Sequence, residues 1–197
     1  MPVRSLRFLT VLLVVLVVLN AAFAPFVALT VTLVPEWFTL HVTPVAAIGD
    51  ACLIVIRILT MIAFGRWIYV AGSNLVVVGT EDLDFTPGAR IWWFAVPLAN
   101  CFKPYQGMRE LWNASRRSWP HNQDHPLLAA RWACWLLDAG VGYASRIAAE
   151  SAEAAIPMLY ANAVVSTALA ATAIAVVLGI ARGQSALGQD DLSTVFA

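Results

Sequence analysis

Charged residues are scarce in this sequence. They make up only 12% of its 197 residues, and hydrophobic residues make up 60%, whereas soluble globular domains are about 25% charged and about 45–50% apolar. So little charge cannot cover the surface of a water-soluble domain, and so much apolar sequence excludes a disordered chain. With only three cysteines, a disulfide-rich secreted scaffold is excluded as well. The composition therefore predicts an integral membrane protein with several spans.

The sequence also lacks the features that announce common activities. Its formal net charge is zero, so no bulk positive field attracts nucleic acid. It contains no glycine-rich phosphate loop, no H-E-x-x-H zinc motif and no G-x-S-x-G nucleophile motif. We therefore expect no catalytic residues, no cofactor, no metal and no nucleic-acid partner.

Four apolar segments predict four membrane-spanning helices. They cover about residues 8–34, 45–66, 127–149 and 157–181. The first would be about 40 Å long as a helix, longer than the roughly 30 Å hydrocarbon layer, so we expect a tilt or a bend at Pro25. The third is the weakest, because Arg131, Asp138 and Arg146 interrupt it.

Two of these apolar segments allow more than one structural interpretation. In the first, Ala22-Phe23-Ala24 resembles a signal-peptide cleavage site, but Pro25 follows directly and the apolar run continues, which favours an uncleaved helix. In the second, helical character could continue to Val78. A straight helix from Val45 to Val78 would exceed about 50 Å, so we expect a bend at Gly65 or Gly72.

The region between the second and third spans is predicted to lie at the membrane surface. Residues 89–102 are apolar but too few to cross, and Pro97 interrupts them, so this segment is either a re-entrant hairpin or an interfacial helix. Residues 103–119 alternate apolar and basic side chains at helical spacing, which predicts an amphipathic surface helix. Residues 183–197 are predicted to form a short mobile tail, outside a single transmembrane domain of residues 1–182.

Positive charge in short loops favours the cytoplasmic side. With four spans and a cytoplasmic N-terminus, ten of the twelve basic residues lie inside. If residues 89–102 crossed the membrane, four of these would move outside. The distribution therefore predicts both termini in the cytoplasm of a bacterial cell, with a multi-pass inner-membrane location. The ten residues are Arg4, Arg7, Arg66, Arg90, Lys103, Arg109, Arg116, Arg117, Arg131 and Arg182.

A run of motifs from Arg66 to Trp135 resembles a known bacterial membrane-protein family. Its residues are Arg66-Trp67-Ile68-Tyr69, Asn74, Phe85-Thr86-Pro87-Gly88, Trp92-Trp93-Phe94-Ala95-Val96-Pro97-Leu98-Ala99-Asn100, Lys103-Pro104-Tyr105 and Met108-Arg109-Glu110-Leu111-Trp112. The aromatic-rich Pro–Asn segment followed by Pro and Glu-Leu-Trp is similar to the family of domain of unknown function 4328. The resemblance implies an integral bacterial membrane protein without an assigned reaction, and it supplies no catalytic residues.

Charged residues inside predicted spans are the first candidate site. Arg57 lies near the middle of the second span and Asp138 near the middle of the third. An arginine at the bilayer centre costs about 2.5–3.5 kcal/mol on insertion scales, so it needs a partner, and we predict that Arg57 pairs with Asp138. Asp50, two turns away on the same helix, is a second possible partner. The pair is either an ion, proton or anionic-substrate site or a static register-fixing contact.

The surface region supplies two further candidates. A broken helix at membrane depth often lines a binding site, which draws attention to Pro97 and Asn100 with Pro104, Glu110 and Trp112; the competing interpretation is a self-capped hairpin. The amphipathic helix presents lipid-facing basic residues that suit anionic headgroups, namely Lys103, Arg109, Arg116 and Arg117.

The histidines favour a solvated loop over a metal site. His121 and His125 are four residues apart, but Pro120 and Pro126 bracket them and disfavour the helix that a two-histidine site would need.

Because the sequence contains no catalytic motif, we expect a non-enzymatic scaffold or regulatory subunit that packs with itself or with a membrane partner. The alternative is a small transporter or channel-like protein with Arg57, Asp138 and Asn100 along its path.

Overall fold

The computed structural model describes the backbone of residues 3–148 and 152–195, and side chains within these ranges except at 148, 152, 153 and 188–195. Over the described residues the chain is built of helices and turns, with no strand. The helices are α1 (Arg7–Leu33), α2 (Pro35–Trp37), α3 (Ala46–Val77), α4 (Ala89–Trp92), α5 (Lys103–Ala114), α6 (Pro126–Ala148) and α7 (Ala152–Val195). A π-helical turn over Phe38–Val42 and 3₁₀ turns over Thr43–Val45 and Ala99–Cys101 complete the described elements.

Three helical segments are long and apolar enough to cross a membrane. They are Arg7–Leu33, Pro35–Val77 and Ala154–Leu187. Helix α6 has 23 residues, but Arg131, Asp138 and Arg146 lower its apolar character, and it is not among the three. The described residues therefore form the all-helical architecture that composition predicts, and three of the helical segments are candidate membrane spans.

The chain divides into two compact units, where the sequence predicts one domain. The first contains residues 1–13, 62–130 and 174–197, and the second contains residues 14–61 and 131–173. The first unit therefore holds residues close to both ends of the chain. Its core combines buried residues of α3, α5 and α7: Trp67, Ile68, Ala71, Leu75, Leu111, Trp112, Val176, Val177 and Ile180.

The second unit buries few of its side chains. Its buried hydrophobic residues are Leu16, Ala28, Ala163 and Ala170, and the small size of three of them permits close helix packing. The Thr32 hydroxyl and the Tyr160 hydroxyl lie 2.8 Å apart and join α1 to α7. Most of the remaining surface is apolar and exposed, which suits lipid or another protein rather than water.

Several element boundaries differ from those expected. Helix α3 runs without interruption from Ala46 to Val77, beyond the predicted end at 66, because its C-terminal half is buried in the first unit. The predicted helix 103–119 ends at Ala114. Residues 183–195, predicted as a tail, continue α7, because Gln184 and Leu187 are buried among other helices of the first unit. Helix α7 also begins before Pro157, which it tolerates within its first turns.

The segment 89–102 contains only one short helix, α4, and one 3₁₀ turn. Leu98 between them has a positive φ of 63°, a left-handed conformation that is strained for a residue other than glycine. So short and irregular a segment has no continuous helix that could satisfy its backbone across a bilayer.

Candidate functional site

A fully hydrogen-bonded polar cluster occupies the core of the first unit, and Asn74 of α3 is at its centre. The Asn74 amide nitrogen donates to the Arg4 carbonyl at 2.9 Å, and its amide oxygen accepts from the Arg4 backbone N–H at 2.8 Å. The same nitrogen donates to Gln184 Oε1 at 2.9 Å. Asn74 therefore binds the N-terminal segment and α7 at once.

Gln184 makes a second contact with α3 and extends the cluster to the end of α5. Its amide nitrogen donates to the Ala71 carbonyl of α3 at 2.7 Å and to the Ser115 hydroxyl at 3.2 Å. Asn74, Gln184 and Ser115 are only 3%, 3% and 1% exposed. A buried network in which each member is satisfied specifies one packing arrangement, because any shift strands polar groups in a low-dielectric interior.

A buried ion pair forms the second polar feature of this unit. Arg90 of α4 and Glu110 of α5 are 2% and 4% exposed and bind each other directly. Glu110 also accepts hydrogen bonds from the backbone N–H groups of Asp84 at 2.6 Å and Phe85 at 3.3 Å. Glu110 thus holds the 84–90 turn against α5.

The surroundings of Arg90 explain why small residues lie beside it. A Cβ on Gly72 would come within 2.5 Å of Arg90 Nη1, and one on Gly107 within 3.4 Å of its Cγ. Arg90 Nε and Nη1 have no hydrogen-bond partner among the described residues. Burial lowers the pKa of the Arg90 guanidinium, and the charge and hydrogen bond of Glu110 oppose that effect. The pair therefore depends on Glu110 to keep a buried cation compensated.

The end of α5 packs closely on α7 through two glycines. A Cβ on Gly183 would come within 2.5 Å of the Ser115 carbonyl oxygen, and one on Gly179 within 2.6 Å of the Trp112 ring. Arg116 also packs against Trp112, with its guanidinium carbon 3.4 Å from the centroid of the ring. Gly179 and Gly183 form a G-x-x-x-G pair, whose missing side chains let the two backbones approach.

An open groove of about 380 Å³ lies beside this polar core. Its lining includes Asp82, Asp84, Arg109, Glu110 and His121. Arg109 donates to Asp124 at 2.8 Å, as does the Tyr105 hydroxyl at 2.9 Å. These two hydrogen bonds lower the pKa of the exposed Asp124 carboxyl. The groove is polar and mixed in charge, and no three metal-ligating side chains converge anywhere in the described part of the chain.

The charges that the sequence predicts within membrane spans lie in the second unit. Arg57 and Asp50 are exposed on α3, and Asp138 is half-buried on α6. The ion pairs within residues 3–148 and 152–187 are Arg90–Glu110 and Arg109–Asp124, so Arg57 and Asp138 are not in direct contact. The Asp138 carboxyl instead interacts electrostatically at longer range with Arg57 and with Arg131 on its own helix. A functional pairing of Arg57 with Asp138 stays a prediction.

The five residues predicted to form a site in the surface region differ in burial. Pro104, Glu110 and Trp112 are buried in the first unit, whereas Pro97 is exposed and Asn100 half-buried in the 89–102 segment. Helix α5 is therefore part of the core of this unit rather than a helix lying freely on it, because one of its faces meets α4 and α7.

The basic residues of this region have partners within the protein. Lys103 Nζ lies 5.7 Å from the Phe85 ring centroid and 5.8 Å from that of Trp93. Arg109 binds Asp124, and Arg116 stacks on Trp112. Arg117 is exposed with a φ of 53°. Contact between these four basic residues and lipid headgroups stays a prediction.

The two histidines of the loop have structural roles. His125 lies against Trp112, with ring centroids 4.8 Å apart. Its Nδ1 accepts a hydrogen bond from the Leu127 N–H at 3.2 Å, which caps the start of α6. His121 Nδ1 lies 2.9 Å from the Ser118 carbonyl. The loop interpretation is consistent with these contacts.

No local sequence signal marks the polar core as a site. Asn74 belongs to the motifs that resemble the family, but nothing near it indicates its partner Gln184, which lies 110 residues away. The Gly179–Gly183 spacing was a detectable signal of close helix packing. Arg90 appeared only as one of many topogenic charges, because its partner Glu110 comes from a different element.

The family described as "Domain of unknown function (DUF4328)" matches residues 35–184. No curated protein and no solved structure matches the chain. The matched range covers most of the sequence and includes Asn74, Arg90, Glu110 and Gln184. The resemblance read from the motifs is thereby confirmed, and the chain belongs to the DUF4328 family.

Proposed function

We propose that this protein is a non-enzymatic membrane scaffold or regulatory subunit that packs with itself or with a membrane partner. The observation that carries the proposal is that the N-terminal half of α3 is exposed. None of the residues in the most apolar stretch of this segment is buried, and Arg57 is exposed there. Another protein surface is the natural cover for a spanning helix that its own chain leaves open.

Energetics make lipid a poor cover for this surface. A guanidinium near the bilayer centre costs about 2.5–3.5 kcal/mol on insertion scales, and no ion pair to Arg57 forms within the described chain. Asp138 acts on Arg57 only at longer range. A polar or acidic group on an adjacent protein would offset this cost, which supports a role in assembly.

We further propose a four-span topology in a bacterial inner membrane, with both termini cytoplasmic. The Arg4–Asn74–Gln184 hydrogen bonds support it, because they join the segment before α1 to the C-terminal parts of α3 and α7. If the C-terminal parts of both helices lie on the side where α1 begins, the total number of crossings is even, with α6 as the fourth span. Exposed Arg116 and Arg117 would then face the anionic headgroups of that leaflet.

Photo-crosslinking tests the assembly proposal. A photoreactive amino acid is introduced at Ile54 or Ile58, which are 57% and 50% exposed beside Arg57, and is activated in native membranes. We expect a discrete protein adduct, of twice the monomer mass for self-packing or another fixed mass for a partner. Arg57→Lys is expected to retain the adduct and Arg57→Leu to weaken it. Lipid adducts alone at both positions would refute the proposal.

A transporter or channel-like role is the second candidate, and Asp138 is the observation that favours it. Its carboxyl lies among charges from two helices, an arrangement that suits a polar path. Cys134 is one turn before Asp138 and half-buried, so it reports on the same helix face. With Cys52 and Cys101 replaced by alanine, reaction of Cys134 with a membrane-impermeant thiol reagent would show that water reaches this site and would favour the transporter. Protection of Cys134 would favour the scaffold.

A further inference from the structure

Three large apolar side chains of the first unit are exposed over half or more of their surface in the described part of the chain. Trp92, Leu98 and Phe102 are 68%, 84% and 50% exposed. All three belong to the 89–102 segment, which the sequence left open between a re-entrant hairpin and an interfacial element. Such a concentration of exposed apolar surface on one short segment marks an interaction site.

The position of this segment against α3 identifies the level at which it lies. The Phe94 ring packs edge-on against the Phe64 ring at 6.1 Å, and Ile91 lies 3.8 Å from the Cβ position of Gly65. Phe64 and Gly65 lie two and three residues after Ile62, which is 64% exposed on the apolar part of α3. The apolar surface of the segment is therefore continuous with the end of a membrane-spanning stretch.

Cationic side chains lie beside the 89–102 segment and beside Phe64 and Gly65 of α3. Arg66 is exposed and lies over the Tyr69 ring at 5.8 Å, a combination typical of the membrane–water interface. Lys103, next to Phe102, stacks over the Phe85 and Trp93 rings. Cations that keep their heads beside aromatic rings can reach lipid headgroups while their stems cover apolar surface. Tryptophan itself prefers this layer.

We infer that residues 91–102 form an interfacial wedge, with Trp92, Leu98 and Phe102 inserted at the boundary between headgroups and acyl chains of one leaflet. The occupant of this surface is lipid, because the segment packs against Phe64 and Gly65 of α3 and is bordered by the cation of Lys103. The irregular backbone excludes the hydrocarbon centre, where unsatisfied N–H and C=O groups are costly. The inference rests on the proposed membrane topology and selects the interfacial alternative over the re-entrant one.

Depth-dependent quenching tests the wedge in the full-length chain. Cys52, Cys101 and Cys134 are replaced by alanine, and single cysteines at positions 98, 122 and 19 carry an environment-sensitive fluorophore. Leu19 is 52% exposed near the middle of α1 and serves as the deep reference. The Leu98→Cys, Asn122→Cys and Leu19→Cys proteins are reconstituted in phosphatidylcholine vesicles containing phosphatidylglycerol. The vesicles carry spin-labelled lipids with the label either near the headgroup or near the end of the acyl chain.

We expect the label at 98 to lose fluorescence mainly to the shallow quencher, the label at 19 mainly to the deep quencher, and the label at 122 to neither. Stronger deep than shallow quenching at 98 would overturn the wedge in favour of a re-entrant hairpin. No quenching at 98, with position 19 still quenched, would show that protein or water covers the segment and would overturn the wedge as well. Loss of quenching at 19 would refute the membrane topology itself, so the two failures are distinguishable.

A charge variant provides the matched control. Leu98→Asp in a Phe102→Cys labelled chain is expected to decrease shallow quenching at 102, because a carboxylate disfavours insertion of the wedge. Asn122→Asp in the same labelled chain adds the same charge at an exposed site away from the segment and is expected to leave the quenching unchanged. Equal effects of the two variants would contradict the inference.

Discussion

The side-chain amides of Asn74 and Gln184 form a buried 2.9 Å hydrogen bond across 110 residues of sequence. Asn74 uses its remaining groups on the Arg4 backbone, and Gln184 uses its nitrogen on Ala71 and Ser115. One pair of side chains thus connects four parts of the chain. This relationship explains why residues near both ends of the sequence belong to the same compact unit.

Removing either amide is expected to destabilise the first unit. In Gln184→Ala, the Asn74 N–H and the Ser115 hydroxyl lose a partner in a buried environment, and a buried polar group left unsatisfied costs about 1–3 kcal/mol. Thermal unfolding of the purified protein in mild detergent measures the effect. Ser185→Ala is the matched control, because Ser185 is exposed and bonds only to the Arg182 carbonyl of its own helix. Equal melting temperatures for the two variants would contradict the role of the cluster.

Gly183 is expected to tolerate no side chain. In Gly183→Ala the new Cβ meets the Ser115 backbone oxygen at 2.5 Å, and because backbone cannot rotate away, we expect a loss of about 1–3 kcal/mol typical of overpacking. Gly140→Ala is the control, since nothing lies within 4 Å of its Cβ position and alanine favours a helix over glycine by about 1 kcal/mol. Chemical denaturation in detergent compares the two, and a Gly183 variant as stable as the Gly140 variant would refute the close approach.

The Arg90–Glu110 pair is expected to behave non-additively. Glu110→Gln leaves a buried guanidinium without its counter-charge, and breaking a buried pair by removing one partner costs about 3–5 kcal/mol. The double variant Arg90→Met with Glu110→Gln removes both charges and is expected to lose less than the sum of the single variants. A double-mutant cycle of unfolding free energies measures this coupling. Strict additivity would show that the two side chains do not depend on each other.

Arg57 and Asp138 are expected to be coupled despite the absence of a direct ion pair. Arg57→Ala leaves Asp138 without one of the two cations that act on it, so the amount of folded protein in membranes is expected to fall. Arg57→Ala combined with Asp138→Ala is expected to restore part of it. Immunoblots of membrane fractions, with Asp50→Ala as the comparison on the same helix, measure the outcome. Independent, additive losses would end the proposed pairing.

Composition and hydrophobic runs were sufficient to predict the helical membrane class, and the motifs from Arg66 to Trp112 carry the resemblance to the family. The bounds of α1 and the start of α6 also follow from local signals, because Arg7 and Pro35 flank the first apolar run and Pro126 begins α6. The extension of α3 to Val77 was harder to predict, since Asn74 and Gly72 weaken an apolar pattern when their buried partners are unknown.

The candidate site was predicted only in part. Glu110 and Trp112 were singled out, yet their partners Arg90 and Gly179 come from separate elements that only the tertiary packing brings together. The same limit applies to residues 183–187, whose polar composition indicated a tail. Gln184 is polar because it completes a buried network, and a single sequence does not distinguish such a residue from one in solvent.

Cysteine accessibility at three positions tests the central claim, that an even number of crossings places both ends of the chain on one side of the membrane. Thr39→Cys, Asn122→Cys and Ser185→Cys are made in the chain without its native cysteines, all at exposed positions, and are labelled with an impermeant maleimide from either side of sealed vesicles. The account predicts that positions 122 and 185 react from the cytoplasmic face and position 39 only from the opposite face. Labelling of 122 and 185 from opposite faces, or of 39 and 122 from the same face, would contradict it.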